Sequence, residues 1–122
     1  MSDLKISKTE DTPTVILDKT NGKFLIQGRS IPEDAVVFFK PILDWFKDYA
    51  TDPNPTTCVE FKLEYFNTSS SKLILDIMLK LKHIKGASIQ WYYSEEDDDM
   101  KEAGEEYSEL VNFPFDLVEE PY

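Results

Sequence analysis

A run of four hydroxyl side chains, Thr68-Ser69-Ser70-Ser71, lies between Asn67 and Lys72. The run follows a predicted strand and opens a predicted helix. At such a corner, the unpaired N–H groups of the first helical turn and the positive end of the helix dipole favour negative charge. A phosphate could be held there, either on a bound ligand or as an ester on one of the hydroxyl groups. The simpler interpretation is that one of these residues caps the helix without further function.

Carboxylates are concentrated in a second stretch, residues 95–109, which holds nine of them and one lysine. A divalent cation site could be imagined from four of these acids, namely Asp97, Asp98, Asp99 and Glu102. The spacing of a calcium-binding loop is absent, however, and contiguous acids on a helix point in different directions. A solvated acidic face is the more ordinary interpretation, and its functional form is a docking surface for a basic partner. An enzyme that uses this cluster with a metal is a third hypothesis.

Length and charge narrow the class of protein. The chain has 122 residues, 41% of them hydrophobic, which fits one folded domain with a real core. Its 13 Lys and Arg residues against 24 Asp and Glu residues give a formal net charge of −11, so we expect no nucleic-acid partner. No apolar run approaches the roughly 18–20 residues that span a bilayer, and no signal peptide is visible. We therefore expect no membrane insertion and a cytoplasmic location.

Few side chains are suited to catalysis or to binding a cofactor. Cys58 and His83 are the only cysteine and histidine, so neither a zinc site made of Cys and His nor a two-imidazole mechanism is possible. Glu60 and Glu64 lie on the polar face of a predicted strand, where carboxylates are open to water and make poor general acids at neutral pH. The sequence predicts no metal, no cofactor and no enzymatic activity.

Hydrophobic patterning predicts the two elements that would position the hydroxyl run. Residues 57–66 alternate between apolar and polar side chains, which indicates a strand with one face in water. Residues 68–86 form an amphipathic helix that carries four lysines against one aspartate, a net charge of +3. In a chain of net charge −11, this helix reverses the sign of the charge locally.

Turn and capping signals predict the other elements. Asn21-Gly22 between two β-rich runs indicates a β-hairpin. Ser30 as N-cap, with Glu33 as the capping-box acid, predicts a helix that continues to about Tyr49. The remaining elements are a strand over residues 87–93, a short surface helix within residues 95–109, and an edge strand over residues 113–117 that contains Pro114.

The resulting order, β-β-α-β-α-β-α-β, defines an α/β fold. Strands separated by helices should be parallel neighbours, so we expect a mixed, mostly parallel sheet opened by a β-hairpin. The layout resembles that of anti-sigma-factor-antagonist (STAS-like) domains. We predict a single regulatory domain over residues 1–122, in which residues 1–13 form a loose N-terminal lead-in.

Several linked blocks of sequence resemble the SiaC family of bacterial regulatory phosphoproteins. They span roughly residues 13–118 in the expected order. The blocks are Gly28-Arg29-Ser30-Ile31-Pro32-Glu33, Leu43-Asp44-Trp45 with Tyr49, Tyr65-Phe66-Asn67-Thr68-Ser69-Ser70-Ser71-Lys72, Trp91-Tyr92-Tyr93, Asp97-Asp98-Asp99-Met100, Glu102-Ala103-Gly104-Glu105 and Phe113-Pro114-Phe115.

The resemblance implies a partner switch in biofilm signalling. Family members are phosphorylated on the threonine of the block that here contains Thr68, by a dedicated kinase, and a PP2C-type phosphatase removes the phosphate. The unmodified protein binds and activates a diguanylate cyclase, which raises cyclic di-GMP. For this chain, the resemblance implies phosphorylation of Thr68.

Five neighbours of Thr68 are predicted to face the phosphate or the protein partner. They are Asn67, Ser69, Ser70, Ser71 and Lys72. A different class of function remains open. The same helix terminus could belong to a small-molecule or nucleotide sensor that binds a ligand's phosphate without covalent modification.

Overall fold

A computed structural model describes residues 1–121, within which the chain forms six strands and three helices. The strands lie side by side in chain order, with β1 to β3 antiparallel and β3 to β6 parallel. The predicted α/β class, with a mostly parallel sheet opened by a hairpin, is confirmed. The elements are β1 (Leu4–Ile6), β2 (Thr14–Asp18), β3 (Lys23–Ser30), α1 (Ala35–Tyr49), β4 (Thr57–Phe66), α2 (Thr68–Lys82), β5 (Ala87–Ser94), α3 (Asp98–Val111) and β6 (Phe115–Glu120).

The helices cover one face of the sheet. Each joins two adjacent parallel strands, and right-handed crossovers in one direction place the helices on the same side. α2 packs between α1 and α3. In β4 the side chains of Val59, Phe61 and Leu63 point into the core, whereas Glu60 and Lys62 alternate with them towards the uncovered face. The prediction that this strand has one face in water is therefore confirmed.

A first strand lies within the segment that the sequence suggested was loose. Leu4 pairs with Leu17 and Ile6 pairs with Val15, in antiparallel register. The Trp45 indole N–H donates to the Ser2 carbonyl oxygen at 2.9 Å, which fastens the start of the chain to α1. The loose lead-in predicted for residues 1–13 is wrong for this part, because a strand of three residues is too short to show alternation.

The first helix begins later than its sequence suggests. Asp34 is the N-cap of α1, and its Oδ1 atom accepts the N–H of Val37 at 3.2 Å. Ser30, which we predicted as the cap, is the buried last residue of β3. The predicted end near Tyr49 is correct, and Trp45 and Tyr49 are buried in the core.

The acidic stretch forms a longer and better-packed helix than a short surface segment. α3 buries four residues at helical spacing, Met100, Gly104, Tyr107 and Val111. The Trp91 indole N–H donates to the Met100 carbonyl oxygen at 2.9 Å, so α3 is bonded to the core of β5. The last strand, β6, lies at an edge of the sheet, as predicted, but it starts after Pro114 and does not contain it.

Candidate functional site at the start of α2

Thr68 is the first residue of α2, one residue after the cap that follows strand β4, and its side chain is exposed. Asn67 is the N-cap. Its Oδ1 atom accepts the N–H of Ser70 at 2.9 Å and the hydroxyl of Ser69 at 3.1 Å. The prediction that the hydroxyl run lies at a strand-to-helix corner is confirmed. Asn67 performs the capping role that the simpler interpretation gave to one member of this stretch.

Two buried serines fix this corner to the neighbouring strand. The Ser30 hydroxyl donates to the Ser70 oxygen at 2.9 Å, and the Ser70 hydroxyl donates to the Ser30 carbonyl oxygen at 3.0 Å. The N–H of Asn67 donates to the same carbonyl oxygen at 3.0 Å. Both serines are fully buried. The end of β3 therefore holds the first turn of α2 in place.

Ser70 does not face a phosphate or a partner, so that part of the sequence prediction is wrong. Successive residues of a helix are about 100° apart, and Ser70 therefore points about 200° away from Thr68, towards the sheet. Ser69 and Lys72 are exposed, and Asn67 and Ser71 are half-buried. Of the predicted neighbours, Ser69 and Lys72 are the ones that an approaching protein could contact freely.

The third helix braces the same turn. The Tyr107 hydroxyl donates to the Ser71 carbonyl oxygen at 2.8 Å, and the Ser71 hydroxyl donates to the Thr68 carbonyl oxygen at 2.8 Å. Burial raises the pKa of Tyr107, so its hydroxyl stays protonated and remains a donor. Sequence reasoning missed Tyr107, although its place in the apolar spacing 100-104-107-111 marks it as a core residue of a helix.

The electrostatics of the corner favour an anion beside Thr68. The N–H groups of the first helical turn have no partner within the helix. The Asn67 side chain accepts one of them, the N–H of Ser70. Lys72 lies one turn after Thr68 on the same face of α2, because residues four apart are neighbours on a helix surface. The helix dipole adds partial positive charge at the same end.

The four acids predicted as a docking surface lie at the start of α3. Asp97 is its N-cap, with Oδ1 accepting the N–H of Met100 at 3.0 Å. Asp98, Asp99 and Glu102 are exposed on the helix. Within residues 1–121, no group of three or more His, Cys, Asp or Glu side chains is placed to hold a metal ion. Asp97 thus has a structural role, and the three other acids remain available to a partner.

The hydrogen bonds at this corner predict that alanine substitutions at two adjacent serines will differ in their effect on the stability of the fold. Ser70→Ala should lower the free energy of unfolding by roughly 1–3 kcal/mol, because it leaves the buried Ser30 hydroxyl without its acceptor and removes one of the two hydrogen bonds to the Ser30 carbonyl oxygen. Ser69→Ala, at an exposed position, should change it by less than about 0.5 kcal/mol. Urea unfolding of both variants measures this difference, and equal midpoints would contradict the role of the buried pair.

Fold and site together define a small α/β domain that presents an exposed threonine at an anchored helix N-terminus. The chain belongs to the SiaC family of regulatory phosphoproteins, because the model of that family matches residues 6–120. The resemblance seen in the sequence is thereby confirmed. An uncharacterised protein of Pseudomonas aeruginosa (strain UCBPP-PA14) is 34% identical over 119 residues, which cover 94% of each chain.

Solved structures of SiaC from Pseudomonas aeruginosa share the fold. Apo-SiaC is 32% identical, with a TM-score of 0.88 over 97% of this chain and 99% of that one. The structure of the diguanylate cyclase SiaD in complex with its activator SiaC contains a chain that is 30% identical, with a TM-score of 0.91 over 97% of this chain and 100% of that one. In this chain, no helix within residues 1–121 has the length and apolarity to cross a membrane.

Proposed function

We propose that this chain is a protein-binding switch that phosphorylation of Thr68 turns off. In its unmodified form it binds and activates a diguanylate cyclase, as the SiaC relative does with SiaD. The observation that carries this proposal is the exposed Thr68 side chain on a corner that β3 and α3 hold rigid. The other hydroxyls of the run are engaged: Ser70 is buried, and those of Ser69 and Ser71 donate within the corner.

The physical basis of the switch is the cost of burying a charge. Phosphorylation adds about −1.5 to −2 charges to Thr68. In the free protein, the helix N-terminus and Lys72 would hold the phosphate without any rearrangement of the fold. In the complex, the phosphate would be desolvated against a surface that fits a neutral hydroxyl. An uncompensated buried charge costs several kcal/mol, and a micromolar complex has only about 8 kcal/mol of binding free energy.

Two enzymes would set the state of the switch. A kinase adds the phosphate and a PP2C-type phosphatase removes it, while this chain supplies binding energy and no catalytic step. Kinases consume ATP and diguanylate cyclases consume GTP, so the proposal implies a cytoplasmic protein. Exposure of Thr68 supports access by both enzymes.

Phosphopeptide mass spectrometry of the protein isolated from its own cell tests the modification. We expect one phosphate on Thr68 and none on Ser70, because a kinase cannot reach a side chain that is fully buried. The matched control is Ser69→Ala, which should leave the phosphorylated fraction of Thr68 unchanged. Phosphate on Ser69 with Thr68 unmodified would contradict the proposed site.

A further inference from the structure

The last strand of the sheet, β6, has one open backbone edge, because no strand lies beyond it within residues 1–121. Along a strand, the N–H and C=O groups of successive residues point alternately to the two sides. The Pro114 carbonyl oxygen accepts the N–H of Ile89 in β5 at 3.0 Å. Six residues later, the Glu120 carbonyl oxygen accepts the N–H of Glu95 at 2.9 Å. The backbone groups that point away from the sheet are therefore those of Phe115, Leu117 and Glu119.

The edge of β6 is held in place by the rest of the fold. All six of its residues pair in register with β5. The Phe115 ring stacks on the Trp91 ring, with 6.4 Å between the centroids, and the Leu117 side chain lies against Gly104 of α3. At 3.3 Å per residue the edge is about 20 Å long, whereas β1, at the other edge, has three residues. An extended segment that bound to β6 would lose its own freedom without any ordering of this chain.

The side chains along this edge are acidic on both faces of the sheet. Asp116 and Glu120 lie on the face that no helix covers, since they pair in register with Gln90 and Ser94. Glu119 lies on the opposite face. All three carboxylates are exposed, and none of them takes part in the ion pairs found within residues 1–121. The edge therefore attracts a basic strand and repels an acidic one.

We propose that the β6 edge binds an extended basic segment of a partner protein, which adds a seventh strand to the sheet. The backbone of this segment would bond to the open groups of β6, and its lysine or arginine side chains would lie beside the carboxylates. An apolar side chain between them would cover Leu117, which is 38% exposed. A second copy of this chain does not have the required chemistry. Its own β6 would bring three further carboxylates to the same edge, and its β1 is too short to cover β6.

The β6 edge lies apart from the corner that carries Thr68, so this proposal goes beyond the phosphate switch and does not rest on it. In the sheet, β5 separates β6 from β4, and Thr68 follows β4. A segment bound to β6 would leave the Thr68 corner uncovered. We therefore expect this chain to bind two partners at once, and we expect the state of Thr68 to leave the affinity of the β6 edge unchanged.

Proline at position 119 separates the addition of a strand from simple attraction between charges. Glu119→Pro removes an N–H group from the open edge and breaks no bond to β5, so the melting temperature should stay within a few degrees. Glu119→Gln removes the same charge and keeps the donor. The probe is a capped peptide of about eight residues in which lysine and valine alternate. In calorimetric titration, the proline variant should bind at least about tenfold more weakly than wild type, and the glutamine variant only about threefold. Equal losses would overturn the proposed strand addition.

Charge controls away from the edge test where the peptide binds. Glu33→Gln removes one charge from the exposed loop before α1, and the affinity should stay within about twofold. Thr68→Asp should have an equally small effect. A tenfold change in either variant would show that the peptide does not bind to a separate site at β6. Replacing each lysine of the peptide by glutamate should abolish binding, and retained binding would overturn the charge argument.

Hydrogen exchange of the wild-type protein tests the same edge without any substitution. With the peptide at saturation, exchange of the amide protons of Leu117 and Glu119 should slow by about tenfold or more, because the peptide accepts these N–H groups. The amide protons of Val118 and Glu120, which face β5, should change much less. Peptide binding without protection at Leu117 and Glu119, or with protection at β1 instead, would overturn the proposal.

Discussion

Thr68→Asp is expected to weaken binding of the diguanylate cyclase by about tenfold or more, and to reduce its activation in parallel. The substitution puts a negative charge beside Lys72 at the start of α2, where the proposed complex has a neutral hydroxyl against the partner. The fold should be unaffected, because an acid in the first turn of a helix interacts favourably with the dipole by about 0.3–1 kcal/mol. The melting temperature should therefore stay within a few degrees of the wild type.

The control for this result is Ser69→Asp, which adds the same charge at the next exposed position. Ser69 points about 100° away from Thr68 around the helix, so its carboxylate should cost clearly less binding. Cyclase titration and product formation should be measured for wild type and for both variants. A Thr68→Asp variant that binds as tightly as wild type would count against the switch. Equal losses of binding in Thr68→Asp and Ser69→Asp would show that the added charge does not have to be at position 68.

Gly104→Ala should destabilise the fold by roughly 1–3 kcal/mol, although alanine is the better helix former by about 1 kcal/mol. A Cβ atom at position 104 would overlap the Trp91 ring and lie only 2.6 Å from a methyl carbon of Leu117. α3 would have to move away from the sheet, and the Tyr107 bond to Ser71 would lengthen or break. The variant should therefore lose stability and also hold the Thr68 turn less firmly.

Denaturant unfolding with a matched helix variant tests this close contact. Glu105→Ala, next to Gly104 but exposed, should change the free energy of unfolding by less than about 0.5 kcal/mol. Hydrogen exchange at the first turn of α2 should rise in Gly104→Ala and not in Glu105→Ala. A Gly104→Ala protein with an unchanged or higher unfolding midpoint would show that α3 does not need glycine at this contact.

Strong periodic signals allowed much of the fold to be predicted from the sequence. The strand β4 was predicted over the range that it occupies, because its alternation of apolar and polar residues reflects one buried and one wet face. The start of α2 was predicted because Asn67 and the hydroxyl run favour capping. The start of α1 was missed because Ser30 and Asp34 are both good caps, and only burial of Ser30 at the end of β3 decides between them.

Some features of the site depend on tertiary contacts and could not be predicted from sequence patterns. Thr68 was predicted as the modified residue from the resemblance, and the phase of α2 shows why its side chain is exposed while that of Ser70 is buried. No local pattern connects Ser30 to Ser70, since 40 residues separate them in the chain. Tyr107 was not predicted as a site residue because acidic residues surround it in the sequence, although its spacing from the other apolar residues is that of a helix.

The most direct test compares one protein in its two covalent states. The chain, phosphorylated stoichiometrically on Thr68 by its kinase, should be titrated with the diguanylate cyclase before and after dephosphorylation by a PP2C-type phosphatase. We predict that the phosphorylated form binds at least about tenfold more weakly and that phosphatase treatment restores full binding. Equal dissociation constants for the two forms, with the phosphate verified on Thr68, would contradict the switch.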